Sequence, residues 1–398
     1  MLASFPMKFD SAGSIAAVVV WLAVSNCFVP VAADEGYWVL PIPAQGEAPA
    51  DYHDLTRDIS PFRCGLCHIK QFSEWAGSLH ARASTKGLLG QLPAYDQEAQ
   101  TACLNCHAPT SEQQEFLADS APGQVQYLFG VDCASCHLRR HIRHGPRGKP
   151  VTPHGQVIQT ELFEQSAFCS PCHQFPEWGE RVNGKLLENT EQEWRRSSYA
   201  KEGIGCRECH MPNGSHAFKG IHDPEMTRKA LRVEARRGKS GIVVDAWNAG
   251  AGHALPTYAT PRIRILVQSD SPPESMLEHV IQRQLHWDVE QGWTEQSDTR
   301  LLPKRKIRLT LKLLPSQDGE VAVLVEPDAF YHEFVYPSLE VSIGGELDPD
   351  SRAMLQEAEV ATGRTGYRLY GFQCPPWQGR EERCIDRIPL SGGHRETK

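Results

Sequence analysis

Five copies of one pentapeptide stand between residues 64 and 210. They are Cys64-Gly-Leu-Cys67-His68, Cys103-Leu-Asn-Cys106-His107, Cys133-Ala-Ser-Cys136-His137, Cys169-Ser-Pro-Cys172-His173 and Cys206-Arg-Glu-Cys209-His210. At this composition, random order would give about 0.02 copies of Cys-x-x-Cys-His, so chance does not account for them. Two thiols one helical turn apart can each add to a vinyl group of haem, and the adjoining imidazole then reaches the iron. The chemistry implied is covalent haem c, five times over. Paired Cys-x-x-Cys units also build zinc sites, yet zinc does not require a histidine directly after all five second cysteines. Disulfides predict no histidine at all.

The sixth ligand of each iron separates conduction from catalysis. An iron between two histidines is saturated and suits electron transfer, whereas an open position can bind a substrate. Of 17 histidines, five belong to the motifs and twelve remain. Five of these are candidate distal ligands: His80 in a helical-looking stretch at 71–83, His154 in Thr-Pro-His-Gly, His216 and His222 in GSHAFKGIHD, and His253 in NAGAGHALPT. Small or turn residues flank each one and would let a flat macrocycle approach. For any one of them a surface or core role is the alternative. His141 and His144, in LRRHIRHGPRGK, read as a solvated basic face or as partners of haem propionates. One frame occurs twice, as WAGSLHA at 75–81 and WRRSSYA at 194–200, with Tyr199 where the first copy has His80. Tyr199 is expected to pack its ring; the sharper alternative places it at an open haem face.

These stretches resemble the multihaem c-type cytochromes, in particular the group related to the tetrahaem cytochrome of ammonia-oxidising bacteria. The likeness is carried by WAGSLHARA, Cys106-His-Ala-Pro, Gly130-Val-Asp-Cys-Ala-Ser-Cys-His, TPHG, CSPCHQF, EWRRSSYA, CRECHMP, GIHDPEM and GAGHALPTY, over roughly residues 60–310. It implies a periplasmic electron carrier with mostly bis-histidine haems. The sequence departs from that carrier in having five attachment sites instead of four and a long extension after the last.

The elements that must position these groups fall into parts. Residues 1–33 read as a secretory signal peptide: Lys8, an apolar stretch from about Ile15, and small residues at Val31-Ala32-Ala33. Cys27 would leave with it, and the product would be exported, most simply to a bacterial periplasm. Residues 34–227 form the multihaem part, mainly helical and loop-rich. A compact segment of its length has a radius of gyration of about 15 Å, so five macrocycles would be near neighbours and much of the core. The basic run at 228–240 reads as a helix end and linker with a solvated face. Residues 241–345 alternate apolar and polar with period two, the strand signal. Ile263, Ile265 and Val267 mark one strand. Ile307, Leu309, Leu311 and Leu313 mark another, expected to pair with Val321, Val323 and Val325 as a hairpin across a Pro-Ser-Gln-Asp-Gly turn. The fold class is multidomain α+β, a pentahaem domain followed by an antiparallel β-sandwich-like domain and a C-terminal extension at 346–398. His253, near the start of the sandwich, would reach back to a haem and fasten the two domains. In an exported chain Cys374 and Cys384 are expected to form a disulfide, with a further metal or redox site as the alternative.

The net charge of −8 argues against nucleic acid. No phosphate loop, Gly-x-Ser-x-Gly or His-Glu-x-x-His motif is present. The leading function is electron transfer between redox partner proteins, a membrane quinol-linked complex among them. One alternative is an oxidoreductase acting on a small nitrogen or sulfur compound at one open haem. Another makes the sandwich a docking module with the haems as its wire.

Overall fold

The computed structural model describes residues 36–119, 128–146, 154–155, 157–269, 274–288 and 292–388. The signal-peptide reading and Cys27 fall outside them. The architecture is mixed α+β, with several antiparallel sheets. Among the described residues no helix is long and apolar enough to cross a membrane.

Up to Ala230 the described chain is mainly short helices, of which Gln97–His107 has 11 residues, with short strands at 138–139, 142–145, 157–159, 181–182 and 185–186. Local chemistry starts the helices. Asp96 accepts the Ala99 amide at 2.9 Å, and Asp132 and Ser135 form a reciprocal capping box at the third motif. Asp223 caps Met226 at 2.8 Å ahead of Pro224, whose fixed φ suits a first helical turn. This stretch has only small apolar clusters of its own, one around Leu89, Leu92, Leu104 and Leu128.

From Leu231 the pattern changes. Strands 306–312, 241–248, 231–238 and 382–383 form one antiparallel sheet in that order. Strands 385–386, 367–374, 319–326, 262–269 and 275–281 form a second. Alternate residues point to opposite faces of a strand, so each sheet presents one apolar face. Leu231, Val233, Ile242 and Val244 from the first sheet share a single buried cluster with Ile263, Ile265, Val321 and Val323 from the second.

Three boundaries move from those expected. The basic run at 228–240 is no linker: Leu231–Gly238 is a strand that turns Leu231, Val233 and Ala235 inward and Arg232 outward. Its charges hid a period-two pattern. Arg237 is 1 % exposed and donates to the carbonyls of Leu314 at 2.6 Å and Gln317 at 3.1 Å. Residues 307–313 and 321–325 do not form a hairpin, because they lie in different sheets. Alternation tells which face is buried, not which strand is the neighbour; here the chain crosses the core, and both apolar faces meet within it. The C-terminal segment is not a separate extension either. Strand 367–374 pairs with 319–326, and the Cys374–Cys384 disulfide ties it to the first sheet's edge. The helix Pro349–Thr362 packs Leu355 against Gly90 of the helix Lys86–Gln91.

Candidate functional site

All five motifs line one continuous cavity of about 1990 Å³, which also receives His80, His154, His216, His222 and His253. The cavity wall is mostly apolar. Among the described residues no three His, Cys, Asp or Glu side chains converge as a metal cluster, so the cysteine pairs do not assemble in fours.

The motif histidines are oriented before any ligand is considered. His107 Nδ1 donates to the carbonyl of Ala83 at 2.6 Å, His137 Nδ1 to that of His144 at 2.8 Å, and His210 Nδ1 to that of Lys219 at 2.7 Å. A carbonyl only accepts, so each ring carries its proton on Nδ1 and keeps the Nε2 lone pair free. His216 and His253 do the same, to Gly214 at 3.0 Å and Ala254 at 2.8 Å. Burial holds the rings neutral: it pulls His80 down to about 3, and His107, His137, His173 and His253 down to about 4. A neutral imidazole is the form that ligates a metal.

Four motif histidines face a second imidazole. Ring centres are 6.4 Å apart for His68 and His154, 6.3 Å for His137 and His216, 6.2 Å for His173 and His80, and 6.3 Å for His210 and His253. An iron–nitrogen bond of about 2 Å plus about 1.1 Å from nitrogen to ring centre would put two imidazoles on one iron about 6.2 Å apart. The residues present therefore fit haem: paired thiols, an oriented imidazole, and at four motifs a second imidazole at the separation one iron requires.

Distant elements create these pairs. Trp75 Nε1 donates to Val131 at 2.8 Å, and the His80 carbonyl accepts the Val131 amide at 2.9 Å. Gly130, at φ +64°, makes the close approach possible; a Cβ there would sit 2.3 Å from the His80 carbonyl oxygen. The second copy of the frame repeats the first locally: Trp194 Nε1 donates to Ile204 at 2.9 Å, and the Ser197 amide to Trp194 at 2.8 Å, as Ser78 does to Trp75. Tyr199 does not mimic His80. Its hydroxyl donates to the Ala249 carbonyl at 2.9 Å, beside Gly252, so it braces the turn that carries His253.

Two residues were not singled out from sequence. Tyr258 Oη lies 2.6 Å from His173 Nδ1, where a backbone carbonyl serves His107, His137 and His210. It belongs to the quoted GAGHALPTY stretch, but nothing local marks its target. Asp328 Oδ2 accepts from His222 Nε2 at 2.9 Å. His222, expected as a fifth distal ligand, lines the cavity with its Nδ1 buried and unpartnered, and among the described residues its ring is not paired with a motif imidazole as the other four are. In the basic stretch the His144 carbonyl serves His137, while buried His141 bonds the Gly46 carbonyl through Nε2 at 2.9 Å.

The motifs are mutual neighbours. Cys64 lies beside Cys133, Cys106 beside Cys172, and Cys169 beside Cys206. The first motif thus adjoins the third, while the second and fifth both adjoin the fourth.

Residues 63–138 match the family model described as Cytochrome c554 and c-prime. No curated protein matches the chain. Among solved structures it is similar in fold to a penta-heme cytochrome c552 from Thermochromatium tepidum. The TM-score is 0.53 at 18% identity, over 75% of this chain and 96% of that one. With the motif geometry, these likenesses support a multihaem c-type cytochrome.

Proposed function

We infer that this chain is an exported, periplasmic pentahaem cytochrome c that carries electrons between redox partners, a membrane quinol-linked complex among them. Each bound haem would supply a one-electron iron couple. Cys64 and Cys67, Cys103 and Cys106, Cys133 and Cys136, Cys169 and Cys172, and Cys206 and Cys209 would hold the five haems, with His68, His107, His137, His173 and His210 as proximal ligands. His154, His216, His80 and His253 would be the distal ligands of the first, third, fourth and fifth. The observation that carries this reading is the set of four imidazole pairs at 6.2–6.4 Å. Saturated irons favour electron transfer over substrate chemistry.

In this reading the helical, loop-rich part carries the haems and the β-sandwich-like part frames them. His253, on the loop after strand 241–248, closes the fifth site and so joins the two. Intact-mass measurement of protein made with a haem-ligation system should show five haem increments; fewer, or zinc in the preparation, overturns the reading. Electron paramagnetic resonance of the oxidised protein should show four low-spin irons, and His253→Ala should convert one of them to high spin. An unchanged spectrum removes His253 from the ligand set.

A further inference from the structure

The five-haem reading is the ground for a second inference, which concerns the fourth motif. Its histidine differs from three others in what meets its outer nitrogen. His107, His137 and His210 each donate from Nδ1 to a backbone carbonyl, whereas His173 Nδ1 lies 2.6 Å from the hydroxyl oxygen of Tyr258.

Tyr258 is held from both sides along the chain. The Thr257 carbonyl accepts from Arg300 Nη1 at 2.8 Å, and Thr257 Oγ1 lies 2.7 Å from Thr190 Oγ1. On the other side Ala259 is buried with Val182, Leu187 and Leu285. The phenol therefore reaches His173 from a fixed segment, and the Thr190 side chain lies beside it.

The direction of the bond follows from the ligand's chemistry. A neutral histidine that gives Nε2 to a metal carries its proton on Nδ1, so His173 donates and the phenol oxygen accepts. The phenol, protonated at neutral pH, keeps a proton of its own to donate, and Thr190 is placed to take it. An acceptor on Nδ1 makes the imidazole more basic and so stabilises the oxidised metal; removing the acceptor favours the reduced one. Unlike a carbonyl, this acceptor is a side chain and can be varied at one site alone.

We propose that Tyr258 sets the reduction potential of the fourth haem, lowering it by accepting the hydrogen bond from His173 Nδ1. It is a positioning residue that acts through His173. The fourth motif adjoins the second at Cys172 and the fifth at Cys169, so this potential enters the driving force toward both.

The test uses holoprotein whose haem count is first established by mass, with the peptide carrying Cys169 and Cys172 shown to bear haem. Potentials are then read by spectroelectrochemical titration. Tyr258→Phe keeps the ring and removes the hydroxyl. It should raise one couple about tenfold in its reduction equilibrium, about 59 mV, and leave the other four within about twofold. Thr190→Val should raise the same couple about twofold, because a hydroxyl that donates onward is a better acceptor. Electron paramagnetic resonance should show wild-type spin states in both variants. Couples that stay put, fall, or all shift alike in Tyr258→Phe overturn the proposal, and so does a fall in Thr190→Val. A new high-spin iron in Tyr258→Phe also overturns it, since the hydroxyl would then hold the ligand in place instead of tuning it. A haem count below five, or a fourth-motif peptide without haem, instead defeats the five-haem reading, and the two failures are told apart.

Discussion

Between residues 231 and 388 the chain buries its own side chains. Ile263, Ile265, Val321 and Val323 are fully inaccessible and meet Ile242 and Val244 across two sheets. Among the described residues between 36 and 230 there is no comparable cluster; the centre of that part is the cavity onto which all five motifs open. One part gains stability as ordinary domains do, from apolar area removed from water at about 25 cal/mol per Å². The other has too little apolar side chain to close upon itself, and its short helices, a few turns at most, are marginal alone. The difference suits a part in which covalently attached haem would take the place of a hydrophobic core, provided the chain fixes where it attaches.

The largest expected effect would divide the parts outright. Chain produced without haem ligation should lose hydrogen-exchange protection throughout 36–227 while strands 231–238 through 367–374 stay protected. Equal protection in both parts would show that the helical part does not depend on haem. A substitution aimed at the other core should do the converse. Val323→Ala in strand 319–326 should lower unfolding stability by about 2 kcal/mol, with the haem absorbance spectrum unchanged at the start of the titration. The smallest effect is at the seam. Tyr199→Phe removes one hydrogen bond to Ala249 and should cost about 1 kcal/mol without altering any iron's spin state. A new high-spin signal in that variant would return Tyr199 to the haem face.

The seam itself explains why the two parts stay together. Glu193 accepts the Ala254 amide at 2.9 Å and pairs with Arg300 at 3.3 Å, and both partners are largely buried. Arg283, 2 % exposed, donates to the carbonyls of Leu186 at 2.7 Å and Val182 at 3.0 Å. Arg228 reaches Leu369 at 2.7 Å and Asp386 at 2.6 Å. Each is a charged group whose burial is tolerable only because its hydrogen bonds are made. None could be told from a solvated surface charge in the sequence.

What the sequence by itself determined is the chemistry and the local structure. The attachment motifs state the cofactor, because thioether formation and proximal ligation need residues one helical turn apart. Strand faces follow from period two, because successive side chains point to opposite faces of a strand. His80, His154, His216 and His253 were recognisable as candidates from their flanking residues. Tertiary structure decided everything that joins distant positions: that His80 faces His173 across 93 residues of chain rather than a nearer motif, and that 306–312 pairs with 241–248. It also placed Tyr258 against His173, and it let Asp328 claim His222. The physical reason is one of range. Spacing along the chain encodes contacts within a helical turn or a strand, whereas a hydrogen bond across 106 residues exists only once packing has brought both ends to 2.9 Å.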